Sequence, residues 1–483
     1  MIKKECDVVV VAAGPSGLAA AVTLCEQGLH PIVLEKAGVV GGTANMGMGP
    51  FGVESRIQKA NMVGLRKEEA FRLFMEYNHW RVDARKVREY IWKSGETIDW
   101  LENMGVQFAV PARYFPSGFA TWHPVIPEGG GKPRPRCASA MNRTMYDRAN
   151  EMGAEFLFNT PARELIMENG AAVGVKAVNT ENEEAYEIRG KAVLVATGGF
   201  GDNPEMIREY CGYEYGDDMI NTRVPGVAGD GIRMVWAVGG KHGRMQMEKT
   251  MGSKIENRTM MHLFQQPATI MVNLDGVRVA DEAVIENYSV MSNVCDIQPK
   301  RRIISILDDR IVKHYHIDGV DFPSGVHQGD PTEGFDEAFE EAVKQWPEDA
   351  FTAGSVRELA EKIGIDPDTL EETFEEYNDM CEEHEDEYFC KDRRYLVPFK
   401  GKKLYAAILR QSGYGSLGGI EVNYKFEVIG EDEKPIPGLY ASGTDTCDIY
   451  SDTYYFYLPG NTMGYALNSG RLAAEHIGEY LEL

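Results

Sequence analysis

No two of the eight cysteines stand in a C-x-x-C spacing. The chain therefore offers no zinc, iron–sulfur or haem-attachment pattern, and cysteines scattered through 483 residues imply no disulfide framework. Positive charge is also short: 50 Lys and Arg against 75 Asp and Glu leave a formal net charge of −25. That balance argues against nucleic acid or an anionic membrane as a partner, since both need basic surface. No apolar run is long enough to span a bilayer, and the opening MIKKECDVVVV leads straight into an apolar strand, so no signal peptide is expected. Internal repeats and low-complexity linkers are missing as well. The length suits two or three domains with large cores, and the expected location is the cytoplasm.

Against these absences stands residues 8–17, VVVVAAGPSG, followed by an apolar helical stretch, a breaker at Gly28 and a second apolar run, 31–34, that ends at Glu35 and Lys36. Buried parallel strands read as continuous apolar runs, so this is a βαβ unit. Glycine lets the backbone approach a pyrophosphate, the helix N-terminus stabilises its charge, and an acidic residue about 20 positions on accepts from a ribose hydroxyl. Position 12, the usual first glycine, is Ala12. A second glycine-rich stretch, GGGKPRPR at 129–136, lacks Ser or Thr after Lys132 and follows no strand, which rejects a P-loop. Helical spacing appears over 67–77 and 87–104, and Ser355 with Glu358 makes a capping box for a helix closed near Gly364. Asp366-Pro367 opens another helix. The Met-rich and then acidic middle reads as a domain inserted into the first.

Four blocks together resemble the fumarate reductase/succinate dehydrogenase flavoprotein family, with its soluble flavocytochrome, urocanate reductase and 3-ketosteroid Δ1-dehydrogenase branches. They are the opening motif through GGTANMGMG, GAEFLFNTPARELI through KAVLVATGGFGDN, GVAGDGIRMVWAVGG, and SLGGIEVNYKFEVIGEDEKPIPGLYASG followed by LPGNTMGYALNSGRLAAEH. The resemblance implies an α/β fold: a doubly wound, Rossmann-like FAD-binding domain (1–240 and 411–483) with an inserted α+β capping domain (241–410). It implies FAD as cofactor, with Ala13, Gly14, Ser16 and Gly17 at the phosphate turn and Glu35 and Lys36 at the ribose. Gly42, Thr43, Ala44 and Gly49 would run beside the pyrophosphate and flavin, and Ala162 beside the adenine. Ala196, Thr197 and Gly198 would form a tight turn against the cofactor, with Asp230 near the ribitol and pyrophosphate. Gly443 and Thr444 would lie beside the flavin, and Asn461, Thr462 and Met463 would open a helix whose positive end faces its pyrimidine, with Asn461 as N-cap. Respiratory members attach FAD through a histidine just after the Gly-Gly; positions 43–46 are Thr-Ala-Asn-Met, which predicts non-covalent FAD. The family's flavin-side glutamate is here Thr444.

The substrate half departs further. Fumarate-reducing members clamp two carboxylates with arginine and histidine and deliver a proton from arginine, because a planar guanidinium binds carboxylates bidentately. The matching positions are Glu286 for the proton-delivering arginine, His262 and Gln265 for its relay, Gly415 and a position near Lys249 for the clamp histidines, and Tyr457 for the clamp arginine. In place of that constellation stands the aromatic run 454–457, Tyr-Tyr-Phe-Tyr. Alternate side chains of an extended run face opposite ways, so some of these should face the flavin. An aromatic pocket favours an apolar or ring-bearing substrate, and tyrosine can serve as acid or hydrogen-bond donor. The alternative for the run is packing between domains. The catalytic candidates are Tyr457, Tyr454, Tyr414, Glu286, Tyr288 and His262. Arg223 is a lesser candidate, 114–123 a candidate lid, and His123 is expected to be structural.

These features predict an FAD-dependent oxidoreductase that reduces a C=C bond conjugated to a carbonyl or carboxyl group, as in an enone, an enoate or an aryl-alkene acid. The proton would come from a tyrosine or the Glu286 region. The alternatives are a desaturating dehydrogenase of a cyclic ketone and an electron-transfer flavoprotein subunit. With no second dinucleotide fingerprint, the electrons are expected from a separate reductase, a reduced flavin or NADH.

Overall fold

A computed structural model describes residues 1–221, 225–323, 326, 329–451 and 453–482. Arg223 lies outside the described residues. The apolar run Val8–Val11 is the centre of a six-stranded sheet and is buried along its whole length. On one side it pairs in parallel with Pro31–Leu34, which pairs in parallel with Glu155–Leu157. On the other it pairs in parallel with Ala192–Val195, which pairs with Pro435–Ala441, and Glu427–Ile429 closes the edge antiparallel. Val9 and Leu439, 430 residues apart in sequence, thus lie level on either side of Val193 in one sheet, whose direction of growth changes at Val8–Val11. In such sheets ligands bind outside the carboxyl ends of the strands at this switch point.

The helix Pro15–Glu26 follows the first strand and packs on the C-terminal helix Asn461–Tyr480. Gly17 permits the tight turn between strand and helix, since a Cβ there would lie 1.9 Å from the Ala12 carbonyl oxygen. Ala12 itself has φ +86°, the left-handed conformation that glycine adopts without strain. A smaller sheet, Ile2–Glu5, Ala185–Arg189, Ala171–Val178 and Ala162–Glu168 in that order, lies beside the first.

The third sheet is built on one long strand, Leu404–Ile420. Its first half pairs antiparallel with Arg302–Asp308 and Ala350–Ala353, and its second half with His242–Gly252. Met219–Asn221 pairs with it in parallel, and Ile270–Val272 adds to the far side of Arg302–Asp308. The second half of this strand carries the third sheet up to the first. There, Ser416 Oγ accepts from the Phe200 N–H at 2.6 Å. Among the outer helices, Ser355 caps Val356–Ile363 as its sequence predicts, with Gly364 left-handed at the end. The Glu358 carboxylate accepts from the Gly354 N–H, one residue before the cap. Asp366 caps Pro367–Glu383. No helix among the described residues is long and apolar enough to cross a membrane.

Candidate active site

Three turns meet at the carboxyl ends of the central strands: 12–14 after Val8–Val11, 196–199 after Ala192–Val195, and 442–445 after Pro435–Ala441. Backbone bonds hold them together: Ala196 N–H donates to Val11 O at 3.0 Å, and Ser442 N–H to Val195 O at 2.9 Å. Ser16 Oγ and Ser442 Oγ lie 2.6 Å apart, and Gly443, at φ +68°, fits against Ser16. Glu35 is buried at the end of the neighbouring strand, where its carboxylate accepts from the N–H groups of Ala13 and Ala37 at 2.8 Å each. Burial raises its pKa against the pull of these bonds. Thr160 N–H bonds to the Glu35 carbonyl and so brings Ala162 alongside. Lys36 donates to the Gly226 carbonyl. It pairs with Asp230 at 2.8 Å, at the start of the helix Asp230–Trp236.

This arrangement fits FAD. A Cβ on Gly14 would project into open space at the N-terminus of Pro15–Glu26, which no side chain caps. Gly42 faces it across the turn at φ +48°, with the Gly14 Cα as the nearest atom to a Cβ there, at 3.7 Å. Two opposed glycines at an uncapped helix end form a cradle for a pyrophosphate. Each carboxylate oxygen of Glu35 has a second acceptor site left for a ribose hydroxyl. Thr43 is exposed and Ala44 buried on the following turn, and Gly49 packs so tightly that a Cβ would lie 1.9 Å from the His123 carbonyl oxygen.

The turn 197–199 is clasped by a residue that the sequence reading passed over. Asp445 is fully buried, and its carboxylate accepts from Thr197 Oγ1 at 2.9–3.0 Å, from the Gly199 N–H at 2.8 Å and from the Thr197 N–H. Gly198 completes that turn at φ +88°. Thr444, beside Asp445, is half-buried. The acidic neighbour of Thr444 was the signal that could have found this clasp.

The N-terminus of Asn461–Tyr480 corrects one expectation. Gly460 is the N-cap, at φ +88°, and Asn461 is the first helical residue. Its amide turns back to the carbonyls of Tyr455 and Leu458, and its Oδ1 accepts from Tyr90 at 3.0 Å. Glycine at the cap leaves the first N–H groups uncovered, and Asn461 instead braces the aromatic run. Next to it, Thr462 Oγ1 donates to Glu248 Oε1 at 2.5 Å, and Met463 meets the turn at Gly47.

Glu248 is the second residue the sequence reading missed, one position from the one it had marked near Lys249. It lies where His242–Gly252 and Leu404–Ile420 slip by one residue, so Tyr414 and Gly415 together oppose it. Such bulges re-aim side chains and recur beside active sites. Glu248 is 3 % exposed, and burial lifts its carboxyl from the ordinary carboxylate range to about 7. Tyr454, Tyr450 and Tyr414 lie within its electrostatic reach. The fully buried Tyr450 hydroxyl, beside Thr462, makes no hydrogen bond of regular geometry among the described residues. Tyr414 keeps 43 % of its surface free although Tyr114, Tyr454 and Phe456 surround it. Part of its side chain is therefore left open among these neighbours. Its hydroxyl lies 3.2 Å from that of Tyr114, and desolvation raises its pKa while Arg258 offsets part of the rise.

The aromatic run divides by alternation. Tyr454 and Phe456 pack toward Tyr414 and Tyr114, and Tyr288 joins edge-on to Phe456, Tyr114 and Phe115. Tyr455 and Tyr457 face the other way: Tyr455 stacks on Tyr77 with ring centroids 4.1 Å apart, and Tyr457 lies edge-on to Tyr455. Glu286 belongs to this second group, where its carboxylate accepts from the N–H and hydroxyl of Ser117 at 3.1 and 2.7 Å. His262 is buried in the third-sheet domain with its ring nitrogen 3.1 Å from the Gln266 amide. His123 is fully buried between Ser55 Oγ and the Thr121 carbonyl, and burial lowers its pKa to about 4. The structure thus gathers Tyr414, Tyr454 and Tyr288 into one cluster with Glu248 and sets Tyr457 with Glu286 in another. His262 stands apart from both.

The FAD binding domain family matches residues 7–462. A vinyl phenol reductase of Lactiplantibacillus plantarum is 29 % identical over 98 % of this chain and 96 % of its own. A urocanate reductase of Eggerthella lenta is 29 % identical over 91 % of this chain and 69 % of its own. The chain spans about half the length of two further curated relatives, at 44 % and 50 %. In three dimensions it is similar to a 3-ketosteroid-Δ4-(5α)-dehydrogenase from Rhodococcus jostii, with a TM-score of 0.74, 20 % identity and coverage of 99 % and 98 % of the two chains. With the cradle and sheet order described above, these matches assign the chain to the FAD binding domain family, in its fumarate reductase/succinate dehydrogenase flavoprotein group, as an FAD-dependent oxidoreductase.

Proposed function

We propose that this chain reduces the carbon–carbon double bond of a ring-bearing substrate: an aryl alkene, or an alkene conjugated to a carbonyl or carboxyl group. The observation that carries this reading is the aromatic wall around the open side of Tyr414. It is made of Tyr114, Tyr454 and Phe456 with one buried acid, Glu248, and the positions of the family's dicarboxylate clamp hold Gly415, Lys249 and Tyr457. Such a wall suits a flat apolar ring and lacks the guanidinium forks a small dianion needs. The 29 % identity to a vinyl phenol reductase over nearly both full lengths supports the same reading.

Glu35, Gly14, Gly42 and the Asp445-clasped turn would hold FAD, and Thr462 at the uncapped helix start would lie beside its flavin. Positions 43–46 offer no histidine, which supports non-covalent binding. When bound and reduced, FAD supplies hydride to the alkene carbon. The proton is the protein's part. Burial keeps the tyrosines of the cluster as neutral phenols, so they donate hydrogen bonds to a substrate oxygen but do not act as bases. Glu248, at about 7, is the group able to hold and release a proton near neutrality. Glu286 would lie outside this step because Ser117 holds its carboxylate in the other cluster. The electrons would come from a separate donor. The eight unpaired cysteines support a reducing compartment such as the cytoplasm.

The test is anaerobic mixing of photoreduced enzyme with 4-vinylphenol, hydroxycinnamates, urocanate, a cyclic enone and fumarate. Rapid reoxidation of the flavin by a ring-bearing alkene, with the saturated product recovered, is expected. Robust turnover of fumarate would overturn the reading. Bleaching of oxidised enzyme by a saturated cyclic ketone would point to desaturation, and inertness toward every alkene to an electron-transfer role.

A further inference from the structure

The stretch 129–136, rejected as a P-loop, builds something else. Its last three residues, 134–136, line a groove of about 850 Å³ together with Pro127 and Glu128, near the upper end of the range for small-molecule sites. Gly38–Val40, on the loop that leads from Glu35 to Gly42, and Asn45 line it as well. Beneath lies Cys137, and Ala138 N–H donates to Gly47 O at 3.2 Å, which ties the groove to the turn that follows Gly42. None of Gly14, Glu35, Thr197, Asp230 or Thr462 lines it, so the groove is distinct from the cofactor cradle while sharing its loop.

Its charge is the reverse of the chain's. Arg134, Arg136 and Arg143 line it, with Glu128 as the acidic member, on a protein of net charge −25. Arg143 is partnered by Asp147 at 3.0 Å, whereas the guanidinium groups of Arg134 and Arg136 make no hydrogen bond or ion pair among the described residues. Arg136 also has φ +76°, a conformation costly for a side chain of that size, and Pro135 restricts the backbone before it.

We propose that this groove docks the phosphate end of the reductant: a phosphate-bearing redox nucleotide, either a dihydronicotinamide or a reduced flavin, which gives up two electrons and leaves oxidised. Guanidinium forks match phosphate geometry, and a positive groove on an acidic protein concentrates an anionic donor at one place. The chain carries no second dinucleotide fingerprint, so a donor site has to be built from other elements. The inference rests on the reductive direction of the proposed function, but its test does not use the alkene.

Oxidised, FAD-loaded protein is mixed anaerobically with NADH, NADPH or reduced FMN, and flavin bleaching is followed against donor concentration. Equilibrium dialysis measures binding of the matching oxidised nucleotide to the same protein. One donor should saturate, and the arms tell a nicotinamide from a flavin. The double variant Arg134→Ala/Arg136→Ala should raise the half-saturating concentration and the dissociation constant by about tenfold or more. FAD content and flavin reduction by dithionite-reduced viologen serve as controls. Unchanged binding in the variant, saturation by none of the three, or loss of FAD in place of donor binding would each overturn the proposal. A failure of alkene reduction with donor binding intact would strike the proposed function alone.

Discussion

Thr462 Oγ1 donates to Glu248 Oε1 at 2.5 Å across 214 residues of sequence, at the bulge that sets Tyr414 and Gly415 opposite Glu248. The contact joins the start of the C-terminal helix to the third sheet and puts a titrating acid among tyrosines.

That acid should make the protein less stable in alkali. The folded pKa of Glu248, about 7, lies above its ordinary 4.5, so the folded chain binds this proton more tightly than the unfolded one. The resulting stability is full below pH 4.5 and is lost as pH rises through 7, about 3 kcal/mol in all. Glu248→Gln keeps the shape and cannot ionise. Thermal unfolding from pH 5 to 8 should show the wild type losing Tm relative to the variant; parallel curves would remove Glu248 from the titrating role. In the flavin reoxidation assay the variant should also lose rate by about 10²-fold.

The two aromatic clusters should separate by function. Tyr414→Phe removes the hydroxyl of the partly open tyrosine in the first cluster and should slow reoxidation by a ring-bearing alkene by about tenfold or more, with FAD content unchanged. Tyr457→Phe, on the opposite face of the run, should change that rate less than twofold. Equal effects of the two substitutions would contradict the division.

Asp445 should matter to folding and cofactor together. Asp445→Asn directs an amide nitrogen at the Thr197 and Gly199 donors and leaves buried N–H groups without an acceptor, at a cost of about 2–4 kcal/mol. Chemical denaturation should show that loss, and the purified variant should hold less FAD. Wild-type stability would mean that the turn finds another acceptor.

Ala12→Gly should stabilise the chain. At φ +86° the alanine methyl costs about 1–2 kcal/mol, only partly offset by the greater freedom glycine has when unfolded. A net gain of about 0.5–1 kcal/mol is expected in the same denaturation assay, and a lower midpoint would show that the methyl packs well enough to compensate.

The cofactor half was legible because its signals are local. The glycine turn, the buried valine run and Glu35 lie within 28 residues, and their conformations follow from backbone freedom and apolar periodicity alone. Even the departure at Ala12 kept the glycine-like conformation, since the turn and the Gly17 contact leave the chain no other path. The alternation within 454–457 was local too, although which pair faces which side was not.

By itself, then, the sequence determined the FAD-binding fold, the glycine turn after its first buried strand and the alternation of the aromatic run at 454–457. Only the tertiary structure decided which tyrosines share a space, that Asp445 clasps the turn at Thr197, and that Glu248 is the acid among them. These relations depend on register between strands distant in sequence. A slip of one residue in the pairing of His242–Gly252 with Leu404–Ile420 selects Glu248 over Lys249, and local propensity carries no record of such a slip.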